Sequence, residues 1–100
     1  MAHPSSSDWF PSWVQTVGAM ADKRATGWTG YGVKGWCSEC GLSREVDVER
    51  LVRVKGRDYS LIGRRSPCPR CGGWVRFHFR SGVYRPLWRD RDIERWLTSK

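Results

Sequence analysis

Four cysteines constrain this chain more than any other feature. Cys37 and Cys40 stand in W-C-S-E-C-G, and Cys68 and Cys71 stand in P-C-P-R-C-G. Each pair has two intervening residues, and 27 residues separate the pairs. Two residues between cysteines allow a tight turn that aims both sulfurs at one point. Two such turns can complete a tetrahedron of thiolates, the arrangement favoured by Zn²⁺. Glycine follows the second cysteine in both pairs, as Gly41 and Gly72. That position often needs a positive φ so that backbone N–H groups can reach the sulfurs.

Other uses of four thiols compete with this one. Disulfides belong to oxidising compartments, and a secreted chain would carry a leader. The opening MAHPSSSDWFPSW has neither a positively charged start nor a continuous apolar run. No stretch approaches the ~20 apolar residues of a membrane span. The expectation is a cytoplasmic, reducing location with no membrane partner, where the thiols bind metal. A redox dithiol uses one C-x-x-C near a βαβ pattern, and two pairs argue against it. Iron in place of zinc would make an electron carrier, a class that is typically acidic. A catalytic zinc keeps an open coordination position, and four cysteines leave none. His3 and His78 lie outside any ligand spacing, and His78 reads as an outward strand residue.

The segments C-S-E-C-G and C-P-R-C-G resemble the zinc knuckles of the zinc-ribbon and rubredoxin-like families, with Pro69 and Gly72 placed as in the C-P-x-C-G pattern of the second knuckle. The resemblance covers about residues 36–81. It implies one structural zinc ion on Cys37, Cys40, Cys68 and Cys71. It says little about function, because zinc ribbons serve transcription factors, polymerase subunits, ribosomal proteins, nucleases and assembly adaptors. The polymerase-cleavage type carries an acidic pair at a hairpin tip. Here that turn is Ser81-Gly82, so this activity does not transfer. The helix expected between the knuckles also departs from the plainest ribbons, where that region is mostly strand.

The chain of 100 residues suits one small α+β domain, a size at which a metal commonly supplements the core. Asp8 is placed to cap an amphipathic N-terminal helix running to Arg24, after disordered first residues. Trp9, Trp13, Val17 and Met20 share a face, with Phe10, Val14 and Ala21 beside them. That face packs either on its own domain or on a partner protein. Residues 27–35, GWTGYGVKG, read as a glycine-rich linker, which divides the chain into 1–26, 27–35, a zinc-ribbon domain at 36–89 and a helix at 90–100. Asp47 should cap a helix over 48–55 that ends at Gly56, with Val46 and Leu51 as a hydrophobic staple. Asp58 should start a further helical turn. Residues 74–80 alternate as a strand: Val75, Phe77 and Phe79 on one face, Trp74, Arg76, His78 and Arg80 on the other. Ser81-Gly82 then turns into an edge strand that tolerates Pro86. Asp90 or Asp92 should cap the last helix, with Ile93, Trp96 and Leu97 inward.

Charge supplies the remaining functional signal. The formal net charge is +8, and it is lopsided: residues 1–50 hold 5 basic and 6 acidic groups, and residues 51–100 hold 13 and 4. Of the 18 basic residues, 14 are arginine, whose planar fork suits phosphate and aromatic faces. Arg64, Arg65, Arg70, Arg76 and Arg80, with Trp74 for base stacking, form the expected nucleic-acid surface. The plainer reading is the polar face of a half-buried strand. The other functional reading is a protein-interaction adaptor that uses Trp9, Phe10, Trp13 and Trp96. No H-x-E, HExxH, GxSxG or kinase pattern is present, and the chain is expected not to be an enzyme.

Overall fold

The structure is a computed structural model that describes residues 10–98. A 3-10 turn (Ser12–Val14) precedes α1 (Val17–Ala25). Then come β1 (Val33–Cys37), β2 (Ser43–Glu45), α2 (Val48–Lys55), β3 (Arg65–Pro67), β4 (Trp74–Ser81), β5 (Val83–Pro86) and α3 (Asp90–Thr98). All strand pairs are antiparallel. The order is β2-β1-β4-β3, and β5 also pairs with β4, beyond the stretch that β3 occupies. Among the described residues the architecture is therefore α+β, with three α-helices and one antiparallel sheet.

The N-terminal segment bends where one helix was expected. Thr16 is extended, at φ −138° and ψ 160°, and its hydroxyl accepts a hydrogen bond from the Ala19 N–H at 3.2 Å. This cap starts α1 at Val17 rather than at Asp8, which lies with Trp9 outside the described residues. The first amides of α1 find carbonyls elsewhere: Val17 N–H donates to Tyr59 O at 2.7 Å, and Gly18 N–H to Arg57 O at 3.0 Å. Those bonds help hold residues 57–59 in a turn, where a further helical turn had been expected.

The linker expected at 27–35 is also corrected. Val33, Lys34 and Gly35 belong to β1, an inner strand that pairs with β4 from Val33↔Phe79 to Cys37↔Val75. The Arg80 side chain donates to the carbonyls of Thr29, Gly30 and Tyr31, and the Trp13 ring meets those of Trp28, Tyr31 and Phe79 at 5.5–5.9 Å. Glycines permit the turns here, while side chains from both sides fix the loop. α2 follows its signals closely. The Asp47 carboxylate accepts from Arg50 N–H at 3.0 Å, Gly56 ends the helix at φ 92°, and Val46 and Leu51 both pack against the core.

The core joins Phe10, Val14, Val17 and Met20 to Val33, Val48, Leu61, Phe79 and Leu87. The aromatic face of the N-terminal segment is thus buried in its own domain, as far as it is described. Strand alternation sends Arg76 and His78 to the opposite side of β4. That side is covered as well. The Arg76 guanidinium lies 5.2 Å from the Trp96 ring and 5.7 Å from Trp88, and Arg65 lies between Trp74 (4.1 Å) and Trp96 (5.3 Å). His78 continues the ladder, edge-on to Trp88 at 5.0 Å and to Trp36 at 6.0 Å. These alternating cations and rings fasten α3 to the sheet. Within α3, Trp96 and Asp92 are buried, and Asp92 caps the helix by accepting from Arg89 N–H at 2.8 Å. Leu97, expected inward, is 74% exposed.

His78 makes this ladder sensitive to acid. Burial first, and then the charge of Lys34, hold its pKa below the ordinary value; its Nδ1 is buried with no hydrogen-bond partner among the described residues. A histidine depressed in the folded state contributes stability above its unfolded pKa of ~6.5 and loses it as pH falls through the folded value. Wild type should therefore lose more stability than His78→Phe between pH 7 and pH 5, as read by urea unfolding at each pH. Equal losses would show that the histidine titrates alike in both states.

Candidate metal centre and arginine surface

β1 delivers Cys37 as its last residue, and the chain turns back at once. Gly41 N–H donates to Cys37 O at 2.8 Å, and Cys37 N–H to Leu42 O at 2.8 Å. The second turn repeats the first between β3 and β4: Gly72 N–H donates to Cys68 O at 3.0 Å, and Cys68 N–H to Gly73 O at 2.7 Å. Gly41 and Gly72 take φ of 78° and 79°, a region costly for side-chain-bearing residues. Gly73 N–H also reaches Cys71 Sγ at 3.4 Å.

The two turns meet because β1 and β4 are hydrogen-bonded neighbours. Cys37 Sγ lies 3.5 Å from Cys71 Sγ, and Cys40 Sγ 3.7 Å from Cys68 Sγ. All four sulfurs fall within 4.8 Å of one another. A tetrahedral ion with ~2.3 Å metal–sulfur bonds separates its sulfurs by ~3.8 Å, so this donor set fits one metal ion. Cys37 and Cys68 are buried, and Cys71 is exposed. Thiol acidity is divided unevenly. Burial pushes Cys68 up, but N–H groups of Cys71 and Arg70 and the thiols of Cys40 and Cys71 outweigh it and bring it to about 7. Cys71 gains from the Gly73 N–H, yet the other thiols and burial drive it to about 12. A divalent cation would relieve this crowding of negative charge by taking all four sulfurs as thiolates.

Comparison with protein-family models, curated proteins and solved structures found no match to this chain.

The arginines expected to form one outward surface have diverse surroundings. Arg80 is half-buried and spends its fork on three loop carbonyls. Arg76 is half-buried among Trp88 and Trp96. Arg65 donates to Trp96 O at 3.3 Å. Arg64 is exposed, stacks on Tyr59 at 4.3 Å and donates to Ser60 O at 2.7 Å. Arg70, at the tip of the second cysteine turn, is exposed, and Trp74 is 42% exposed. Other arginines, not singled out in the sequence, are spread over β2, α2, β5 and α3. Arg44, Arg50, Arg53, Arg85 and Arg91 are exposed and, like Arg70, form no ion pair with a described acid. For Arg50 and Arg53 a signal existed, since both fall on the polar face of the correctly read helix at 48–55.

Among the described residues no helix is long and apolar enough to cross a membrane.

Proposed function

We propose that the chain is a non-enzymatic nucleic-acid-binding protein of a reducing, cytoplasmic compartment, folded around one structural Zn²⁺ in a zinc-ribbon-like arrangement. Four thiolates at tetrahedral spacing favour zinc, and filling every coordination position leaves none for catalysis. The observation that carries the binding claim is the set of seven exposed arginines without acidic partners among the described residues: Arg44, Arg50, Arg53, Arg64, Arg70, Arg85 and Arg91. Ion-paired arginine would merely solubilise the surface, whereas unpaired forks can meet phosphates. The adaptor reading has less support. Phe10 and Trp96 are buried, Trp13 is half-buried within the chain's own packing, and Trp9 lies outside the described residues.

Phosphate neutralisation releases condensed counterions. A surface that covers about four phosphates gives a log–log salt slope of roughly −3.6 on duplex DNA and −2.8 on single strands. Fluorescence anisotropy across several salt concentrations should show such a dependence. Absence of binding to either form at low salt would contradict the reading.

A further inference from the structure

An open cavity of about 820 Å³ lies between α2, the segment leading into β3, and the Arg95–Trp96 part of α3. Its apolar lining includes Leu51, Leu61 and Phe77. Arg50, Arg64, Arg65 and Arg95 also line it, against one acidic side chain, Asp47, whose carboxylate already caps α2. We infer that this groove is a binding site for unpaired nucleotides of a single-stranded nucleic acid. The inference rests on the nucleic-acid reading above and specifies where and in what form the strand binds.

Three features point to this occupant. Charge complementarity requires an anion. Three of the four guanidinium groups are already held in place: Arg64 by Ser60 O, Arg65 by Trp96 O, and Arg95 by Gly63 O at 2.9 Å and by its ion pair with Asp92 at 3.2 Å, which leaves Arg50, Arg64 and Arg65 as the groove cations without an acidic partner among the described residues. A fork fixed in advance loses less entropy on meeting phosphate, and each keeps N–H groups beyond those spent on a carbonyl. Secondly, the cations come with flat rings. Arg64 lies over Tyr59 at 4.3 Å and Arg65 over Trp74 at 4.1 Å; both rings line the groove, and although a guanidinium covers one face of each, the stacked planes of ring and guanidinium suit further stacking by bases. An inorganic anion would need neither rings nor an apolar lining, and an acidic peptide offers no planar base to stack. Finally, the size selects against duplex. The volume lies within the ~300–1,000 Å³ of small-ligand sites, and a duplex keeps its bases paired and stacked on one another.

The test compares three labelled probes on the intact zinc-loaded protein: a short oligothymidylate, a duplex with equal phosphate number, and polyglutamate of equal charge. The oligothymidylate should bind most tightly. Trp74→Ala should weaken it by roughly 5- to 150-fold, the loss of about one stacked base, while changing duplex binding little. Arg50→Ala should lower the single-strand salt slope by about 0.7, and Arg24→Ala, at an exposed arginine outside the groove that is already paired with Glu49, should leave single-strand affinity far closer to wild type. Melting curves confirm that each variant is folded. Trp74 is 42% exposed and outside the central core cluster, and Arg50 has no ion pair with a described residue, so both variants should fold. Salt-dependent binding that neither Trp74→Ala nor Arg50→Ala alters would overturn the groove and leave the nucleic-acid reading intact. Polyglutamate binding as tightly as oligothymidylate would overturn base stacking. No binding of either nucleic acid at low salt would overturn both.

Discussion

Cys71→Ser should unfold the protein, although Cys71 is exposed and contributes little to packing. On packing grounds alone a surface substitution changes stability by about 0.5 kcal/mol or less. A structural zinc ion contributes ~10–16 kcal/mol of apparent binding free energy at neutral pH, comparable to or larger than the 5–15 kcal/mol net stability of a small domain. Loss of one thiolate should remove most of it. The same holds for Cys37, Cys40 and Cys68. The collapse should spread beyond the cysteine turns, because Cys37 and the core residue Val33 share one strand, paired to β4. Circular dichroism and tryptophan fluorescence should both report unfolding, for each variant and for wild type treated with a strong chelator. Native spectra after confirmed metal loss would show that the core suffices alone.

Deletion of residues 1–26 should be as severe. This segment supplies Phe10, Val14, Val17 and Met20, four of the nine buried residues of the central cluster, together with the Trp13 ring packed against Phe79. Met20→Ala alone should cost ~2–5 kcal/mol, and removing all four exceeds what a domain of this size can lose. The N-terminal deletion should therefore yield a chain without a cooperative melting transition, even with zinc present. Equally cooperative melting at an unchanged temperature would mean that the segment packs elsewhere, as on a partner.

What could be read from the residues alone was whatever local chemistry dictates. The cysteine turns, the Asp47 cap with Gly56, the alternation of 74–80 and the Ser81-Gly82 hairpin each depend on a few neighbouring residues, and the structure has all of them. Misreadings arose where distant residues decide. The 27–35 segment has the glycine content of a linker, but its register against β4 and the Arg80 fork make its end a strand and its start a fixed loop. The stripe from Trp9 to Met20 fits one helix, yet Thr16 breaks it because Tyr59 and Arg57 offer carbonyls to the amides of α1. β2 and β3, with three residues each, have little pattern of their own and exist through their partners. The arginine surface was hardest to read. Alternation correctly placed Arg76 opposite Phe77 but did not reveal that Trp88 and Trp96 would cover that side, nor that Arg50 and Arg95 would meet Arg64 and Arg65 across a groove.

The central claim, one zinc ion on four thiolates, is tested most directly by X-ray absorption at the zinc edge of protein purified under reducing conditions, with metal content measured on the same sample. The account predicts one zinc per chain and a first shell of four sulfurs at ~2.3 Å. Nitrogen or oxygen in that shell, or a metal-free chain carrying two disulfides, would contradict it.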